Sequence, residues 1–400
     1  MKKILSFSLF LMIGLVLSQV LPGLLGSNYE SLEVVTGALL YVALSFIMIN
    51  VGREFDVDKS NWRSYIKDYF IAMATAALPW LFVAFYFIFV ILPVEYNTSW
   101  EAWKESLLLS RFAAPTSAGI LFAMLAAIGL KSSWIYKKIQ VLAIFDDLDT
   151  ILLMIPLQII MIGMKWQMGV ILLVVIVLIW LGWKQMGKYN VKQDWKSILL
   201  YSIIVVGITL SIDHFTKMMF GAEGAIHIEV LLPAFILGMV MKHVHIDNKI
   251  ERGVSTFISL IFMLLVGMSM PHFIGNSIMT EASLESGSIM GEQPMLSAGS
   301  IAIHVLLVTL LSNIGKMVPL FFYRERLIEE RLALSIGMFT RGEVGAGIIF
   351  IALGYNIGGP ALVISVLTMV LNLVLTGIFV VWVKRLSLRA RRKLEAANAA

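Results

Sequence analysis

Three carboxylates interrupt the apolar run KIQVLAIFDDLDTILLMIPLQII: Asp146, Asp147 and Asp149. A carboxylate among apolar side chains can hold a proton or a small hard cation, which prefers oxygen ligands. Read as a helix beginning near Lys138, the run sets Asp146 and Asp147 ~12–14 Å along its axis, close to the midplane of a bilayer. Adjacent residues diverge by ~100° around a helix, so the two carboxylates face different neighbours. Asp149 follows Asp146 at i+3 and Thr150 follows Asp147 at i+3, giving each aspartate a polar companion. Two readings compete, a structural ion-pair cluster and an ion site open to water from one side at a time. Attraction within a buried pair rarely offsets its desolvation, which favours the ion site for Asp146 and Asp147. For Asp149 the structural role is favoured.

Seven ionisable side chains fall inside apolar segments away from their edges: Arg111, Asp146, Asp147, Asp149, Lys316, Arg341 and Glu343. A charge at the bilayer centre costs ~2.5–3.5 kcal/mol on insertion scales, which makes such groups functional candidates. Four acids against three bases is a near balance, as expected if they neutralise one another inside a bundle. Lys316, in LLVTLLSNIGKMVPLFF, is the sole lysine among them. It is a fixed counter-ion to one aspartate, a second proton carrier, or a residue snorkelling to the nearby surface.

Two segments should break as helices. In SRFAAPTSAGILFAML, Pro115 lacks a backbone donor and clashes with the carbonyl one turn back, and Thr116 and Ser117 offer hydroxyls and freed carbonyls. In GMFTRGEVGAGIIF, Gly342, Gly345 and Gly347 loosen the middle, and Arg341 and Glu343 flank the first of them. The breaks share a local form, PTSAGI against EVGAGI. Arg341 and Glu343 are two apart, a poor spacing for pairing on a regular helix. Each is expected to bond a broken-helix end or another charge, such as Glu343 with Arg111.

The elements that must carry these residues are membrane helices. Of the 400 residues 59% are hydrophobic and 14% charged, with a mean hydropathy of +0.88. Soluble chains carry about 25% charge. Twelve apolar segments are long enough to span ~30 Å of hydrocarbon: 4–20, 33–51, 66–92, 107–129, 138–162, 168–183, 197–212, 226–241, 254–271, 298–322, 332–353 and 361–383. The expected fold is all-α and polytopic, with about 12 transmembrane helices. The alternation of a membrane β-barrel is absent. Spans 4 and 11, which hold the breaks, cross in opposite directions, the arrangement of an inverted-repeat transporter with its site at two interrupted helices.

Twenty-five of the 31 Lys and Arg fall at the N-terminus, in alternate loops and in the tail. The positive-inside rule then puts both termini in the cytoplasm, and the basic excess is a topology signal rather than a nucleic-acid surface. The basic, apolar opening MKKILSFSLFLMIGLVLSQV lacks a clean small-x-small cleavage site and reads as an uncleaved first helix. Zero cysteines exclude disulfide and thiol chemistry. Of the six histidines, His304 alone suggests a pH sensor. No cofactor is indicated.

In this order along the chain, the residues resemble the cation/proton antiporter superfamily, in particular its paired-aspartate branch without a C-terminal nucleotide-binding domain. The resemblance covers about residues 4–384. It rests on Gly52, Glu54 and Phe55 leaving span 2, the Asp-Asp pair of span 5, the Phe-rich FISLIFMLLVGMSM, Lys316, and RGEVG in span 11. It implies a multi-pass homodimer of a bacterial inner membrane. Core helices are expected at about 66–162 and 298–383, scaffold and dimer helices at about 4–51 and 168–271, and a short tail at 384–400, with crossed, unwound spans 4 and 11. It implies that Asp147 takes the cation or proton, that Asp146 pairs with Lys316 until the cation displaces it, and that Thr116 and Ser117 lie where the family supplies oxygen ligands. Pro115 before Thr116, and Ser117 where many relatives have an acid, depart from the pattern. The implied activity is exchange of Na+ (or Li+) for protons, electrogenic if two protons move per cation.

Other classes remain beside it: a Kef-like potassium/proton antiporter, or a sodium-coupled organic-anion symporter with the same broken helices. DDLD resembles the metal-diphosphate motif of membrane prenyltransferases, which needs a second Asp-rich motif that the sequence lacks. An intramembrane aspartyl protease needs facing aspartates from two helices, which adjacent residues cannot supply. No enzyme is therefore expected.

Overall fold

A computed structural model describes residues 2–26, 29–54, 62–131, 133–162, 166–220, 230–242, 249–269, 288–355 and 357–399. For several helical residues, Asp147, Glu343 and Glu54 among them, only the backbone is described, and Phe55 lies outside the described residues. The described chain is helical, and among its residues the one β-feature is an isolated bridge between Tyr189 and Met241. In lipid each backbone polar group must be satisfied within its own segment, which makes helices the outcome for such apolar runs.

In chain order the helices are α1 (Lys2–Leu25), α2 (Tyr29–Glu54), α3 (Trp62–Tyr86), α4 (Trp100–Ser110), α5 (Ala118–Ala127), α6 (Trp134–Ile162), α7 (Trp166–Gln185) and α8 (Trp195–Phe220). They continue with α9 (Leu231–Val240), α10 (Lys249–Met268), α11 (Ala298–Gly315), α12 (Val318–Phe321), α13 (Ile328–Gly337), α14 (Glu343–Gly354) and α15 (Gly359–Ala399). Helical residues occupy each of the twelve apolar stretches. Among the described residues, seven segments are long and apolar enough to cross a membrane: Ser6–Leu25, Ser31–Arg53, Ser64–Ile91, Trp100–Ala127, Trp195–Met219, Ala298–Phe321 and Gly359–Ala396.

The chain divides into two compact units. One comprises Met1–Gly26, Trp62–Leu153 and Val266–Ala400, the other Ser27–Asn61 and Met154–Leu265. In the second unit α2 packs on α8 and α9. A side chain at Gly52 would lie 2.2 Å from the Phe235 carbonyl oxygen, and one at Gly238 would lie 2.1 Å from that of Ile49. Two facing glycines thus let α2 and α9 touch backbone to backbone, the small-residue packing by which membrane helices associate.

In the first unit α11 packs against α3 and α15, and α13 against α15. Gly315 permits the first of these contacts, since a Cβ there would meet the Pro79 backbone nitrogen at 2.5 Å. Helix α4 starts at Ser99, whose Oγ accepts from the Ala102 N–H, and ends in a single 3-10 turn over Arg111–Ala113. Residues 115–117 are not helical, and α5 restarts at Ala118. The break follows from Pro115, which removes the donor that would continue the helix. A second break separates α13 from α14 at residues 338–342, and a third, at Lys316 and Met317, separates α11 from α12. All three lie in this unit.

Candidate functional site

The three interruptions converge. The Ser117 N–H donates to the Thr340 carbonyl at 3.0 Å, and the Thr116 hydroxyl donates to the Met338 carbonyl at 3.1 Å. One break therefore satisfies polar groups that the other exposes, as a membrane interior requires. Gly342 makes room for this: a Cβ there would sit 2.7 Å from Ser117 Oγ and 2.9 Å from its Cβ.

Asp146, on α6, reaches into the same place. Its Oδ2 accepts from the Thr116 N–H at 2.8 Å and from Lys316 Nζ at 2.9 Å. Lys316 Nζ also donates to Thr116 Oγ1 at 3.0 Å. The side chains of Asp146 and Lys316 are both 0% exposed, so Lys316 forms an internal ion pair and does not snorkel. The lysine reaches Asp146 because α11 ends at Gly315, leaving Lys316 at its C-terminal cap. Asp146 Oδ1 is buried and has no hydrogen-bond partner among the described residues. That leaves one carboxylate oxygen able to accept a proton or contribute to a cation's oxygen shell. The Asp147 backbone continues α6 in the next position, while its side chain lies outside the described residues.

The remaining candidates surround this pair. The Thr150 hydroxyl donates to the Asp146 carbonyl at 2.9 Å. Buried Arg111 donates from Nη2 to the Asp149 carbonyl at 3.0 Å, and its guanidinium lies 4.8 Å from the centre of the Trp80 ring. Asp149 is buried with the Tyr69 phenol against it. Arg341 donates to the carbonyls of Met338 at 3.0 Å and Ser312 at 3.5 Å, tying the second break to α11. The side chain of Glu343, expected beside Arg111, lies outside the described residues. Gly345 abuts Met369 and the Phe112 carbonyl, whereas Gly347 borders open space.

Three further polar groups escaped the sequence reading. Asp68, near the start of the 66–92 apolar stretch, is 1% exposed. It accepts from Lys138 Nζ at 2.8 Å and from the Tyr323 hydroxyl at 2.6 Å. This joins α3, the start of α6, which carries Asp146 further along, and the segment after α12. Lys67 and Lys138 lie 5.3 and 5.2 Å from the centre of the Tyr323 ring. Glu105 accepts from Ser288 Oγ and from the N–H groups of Ile289 and Met290 at 2.9 to 3.0 Å, anchoring the loop before α11 to α4. Asn313 donates to Asn372 Oδ1 at 3.2 Å between α11 and α15. The TLLSN run before Lys316 and the TMVLN run in α15 were the signals for this last contact.

Residues 2–386 match the family model described as "Sodium/hydrogen exchanger, transmembrane". The fold resembles the solved structure of the sodium proton antiporter MjNhaP1 from Methanocaldococcus jannaschii. The TM-score is 0.56 and the identity 16%, over 93% of this chain and 91% of that one. No curated protein sequence matches.

Proposed function

The chain belongs to the transmembrane sodium/hydrogen exchanger family, whose members exchange a monovalent cation for protons across a membrane, and from that premise we propose that it exchanges Na+ or Li+ for protons at Asp147 and Asp146. The observation that supports the site most directly is the buried Lys316–Asp146 pair beside Thr116, at the meeting of the two broken segments. A cation arriving at this carboxylate has an attractive site only where the ammonium withdraws. A proton arriving at it has the same requirement. Cation and proton therefore compete for one charge state, and the protein carries one or the other but not both. Thr116, held by both the Met338 carbonyl and Lys316, supplies a hydroxyl to the same place. Pro115, Ser117, Gly342, Arg341 and Glu343 keep the breaks open around it. Asp149, Thr150 and Arg111 hold the middle of α6.

Two aspartates with a lysine that exchanges partners favour two protons per cation, which is electrogenic. A lysine that stays charged throughout would make the exchange electroneutral. Uptake that is unchanged when the membrane potential is clamped would exclude the electrogenic form.

The deciding experiment is cation-induced collapse of a preformed pH gradient in proteoliposomes. Wild type should respond to Na+ and Li+, and Asp147→Asn should abolish the response. A response to K+ alone would move the reading to a potassium antiporter. Labelled organic-anion uptake driven by Na+, without proton release, would replace it with a symporter.

A further inference from the structure

Between Met317 in the break before α12, α13 and α15, on the side from which the C-terminal tail emerges, lies a partly open cavity of about 470 Å³. Its walls are apolar, formed by Met317, Leu332, Ile336, Phe339 and Leu386, with Trp382 at its side. Two exposed arginines, Arg385 and Arg389, complete it and stand one turn apart on α15. The nearby carboxylate of Glu329 hydrogen-bonds Lys393 and also feels Arg389, which together hold it below the usual carboxylate range; one carboxylate among Arg385, Arg389 and Lys393 leaves positive charge in surplus. An apolar chamber with surplus guanidinium charge calls for an amphiphile with an acidic head. Guanidinium groups suit phosphate oxygens, and basic pockets between membrane helices suit acidic headgroups.

The walls join this cavity to the site. Met317 follows Lys316 directly, and Phe339 directly precedes Thr340, whose carbonyl accepts the Ser117 N–H. Both residues belong to chain breaks, so whatever fills the cavity bears on the two interruptions that shape the Asp146 environment. Arg331 closes the corner by donating to the Leu320 carbonyl at 3.0 Å, which ties α13 to α12.

We propose that this cavity binds one anionic phospholipid from the leaflet on the tail side, with an acyl chain against Leu332, Phe339 and Leu386 and its phosphate on Arg385 and Arg389. The bound lipid steadies the breaks at Met317 and Phe339 and thereby tunes exchange. The binding claim stands apart from the exchange reading; only the tuning rests on it.

The test uses the full chain in nanodiscs of phosphatidylcholine with and without phosphatidylglycerol. Phosphatidylglycerol should raise the melting temperature of wild type by about 3 °C, since a ligand that binds the folded state alone stabilises it. Arg385→Gln with Arg389→Gln should remove most of that rise. Leu332→Trp, which fills the cavity and leaves the charge intact, should remove it too. A rise that survives in Leu332→Trp would overturn the cavity in favour of simple attraction to the basic tail. Glycerol phosphate reproducing the rise in detergent would assign the site to free phosphate, and no rise in wild type would also overturn the proposal. In proteoliposomes, phosphatidylglycerol should change the exchange rate of wild type several-fold and leave that of Leu332→Trp unchanged. Absent exchange with a retained melting shift would sink the transport reading and keep the lipid site.

Discussion

At the scale of single residues, Asp146 and Lys316 form an ion pair inside the protein, with Thr116 bonded to both. Both are fully buried, so removing one partner takes from the other the ion pair that offsets its burial. Lys316→Gln should therefore destabilise the protein by about 3–5 kcal/mol, whereas Lys316→Gln with Asp146→Asn should cost markedly less than the two single changes added. Denaturation of the purified protein measures this cycle, and additive effects would show that the pair is not coupled. Tyr323 offers a second test, with its own pH dependence. Burial and the neighbouring Asp68 push its phenol above the ordinary range, so the fold favours the neutral, donating form. Tyr323→Phe should lose about 1 kcal/mol at neutral pH. Because the folded pKa is raised, the tyrosine's contribution is complete below ~10, the unfolded value, and is lost as pH rises beyond it. The gap between wild type and variant should thus be constant to about pH 10 and narrow above it. The pairing of Asp146 with Lys316 was legible in the sequence because charge in an apolar run has no cheap alternative explanation. Asp68 and Tyr323 were not, because one stands beside Lys67 as a solvated edge residue would, and the other carries no charge.

At the scale of elements, the breaks matter more than the helices. Pro115 announces the first, and the glycines around residue 342 announce the second, so both were legible. The interruption at Lys316 and Met317 was not, since an apolar stretch with one lysine reads as continuous; Gly315 and Pro319 were its only marks. The glycines also sort themselves by contact in a way that composition cannot foresee. A Cβ at Gly342 would strike Ser117 in the opposite break, while one at Gly347 meets nothing within 4 Å. Gly342→Ala should consequently force the breaks apart and reduce exchange at least tenfold. Gly347→Ala should leave exchange near wild type and add up to ~1 kcal/mol of helix stability. Dequenching of a pH-sensitive dye in proteoliposomes would compare the two, and equal losses would mean that break-to-break contact is not what Gly342 provides.

At the scale of the whole molecule, the family match runs across both compact units, from residue 2 to 386, so exchange is a property of the chain rather than of the site-bearing unit alone. The basic residues alternate between loops along that whole length, and a bilayer reads this alternation as orientation. Orientation in turn decides which loops and which end of the chain face the cell interior, while the ion gradients set the direction of exchange. The absence of native cysteine makes the point directly testable, since each introduced thiol is the only one present. Glu95, and Ala298 at the start of α11, are exposed at positions expected outside, and Lys192 and Glu395 are exposed at positions expected inside. Cysteines at Glu95 and Ala298 should react with a membrane-impermeant maleimide in right-side-out vesicles, and those at Lys192 and Glu395 only in inverted ones. Labelling of Glu395→Cys in right-side-out vesicles would reverse the topology and put both the tail and the loop at Lys192 on the outer side.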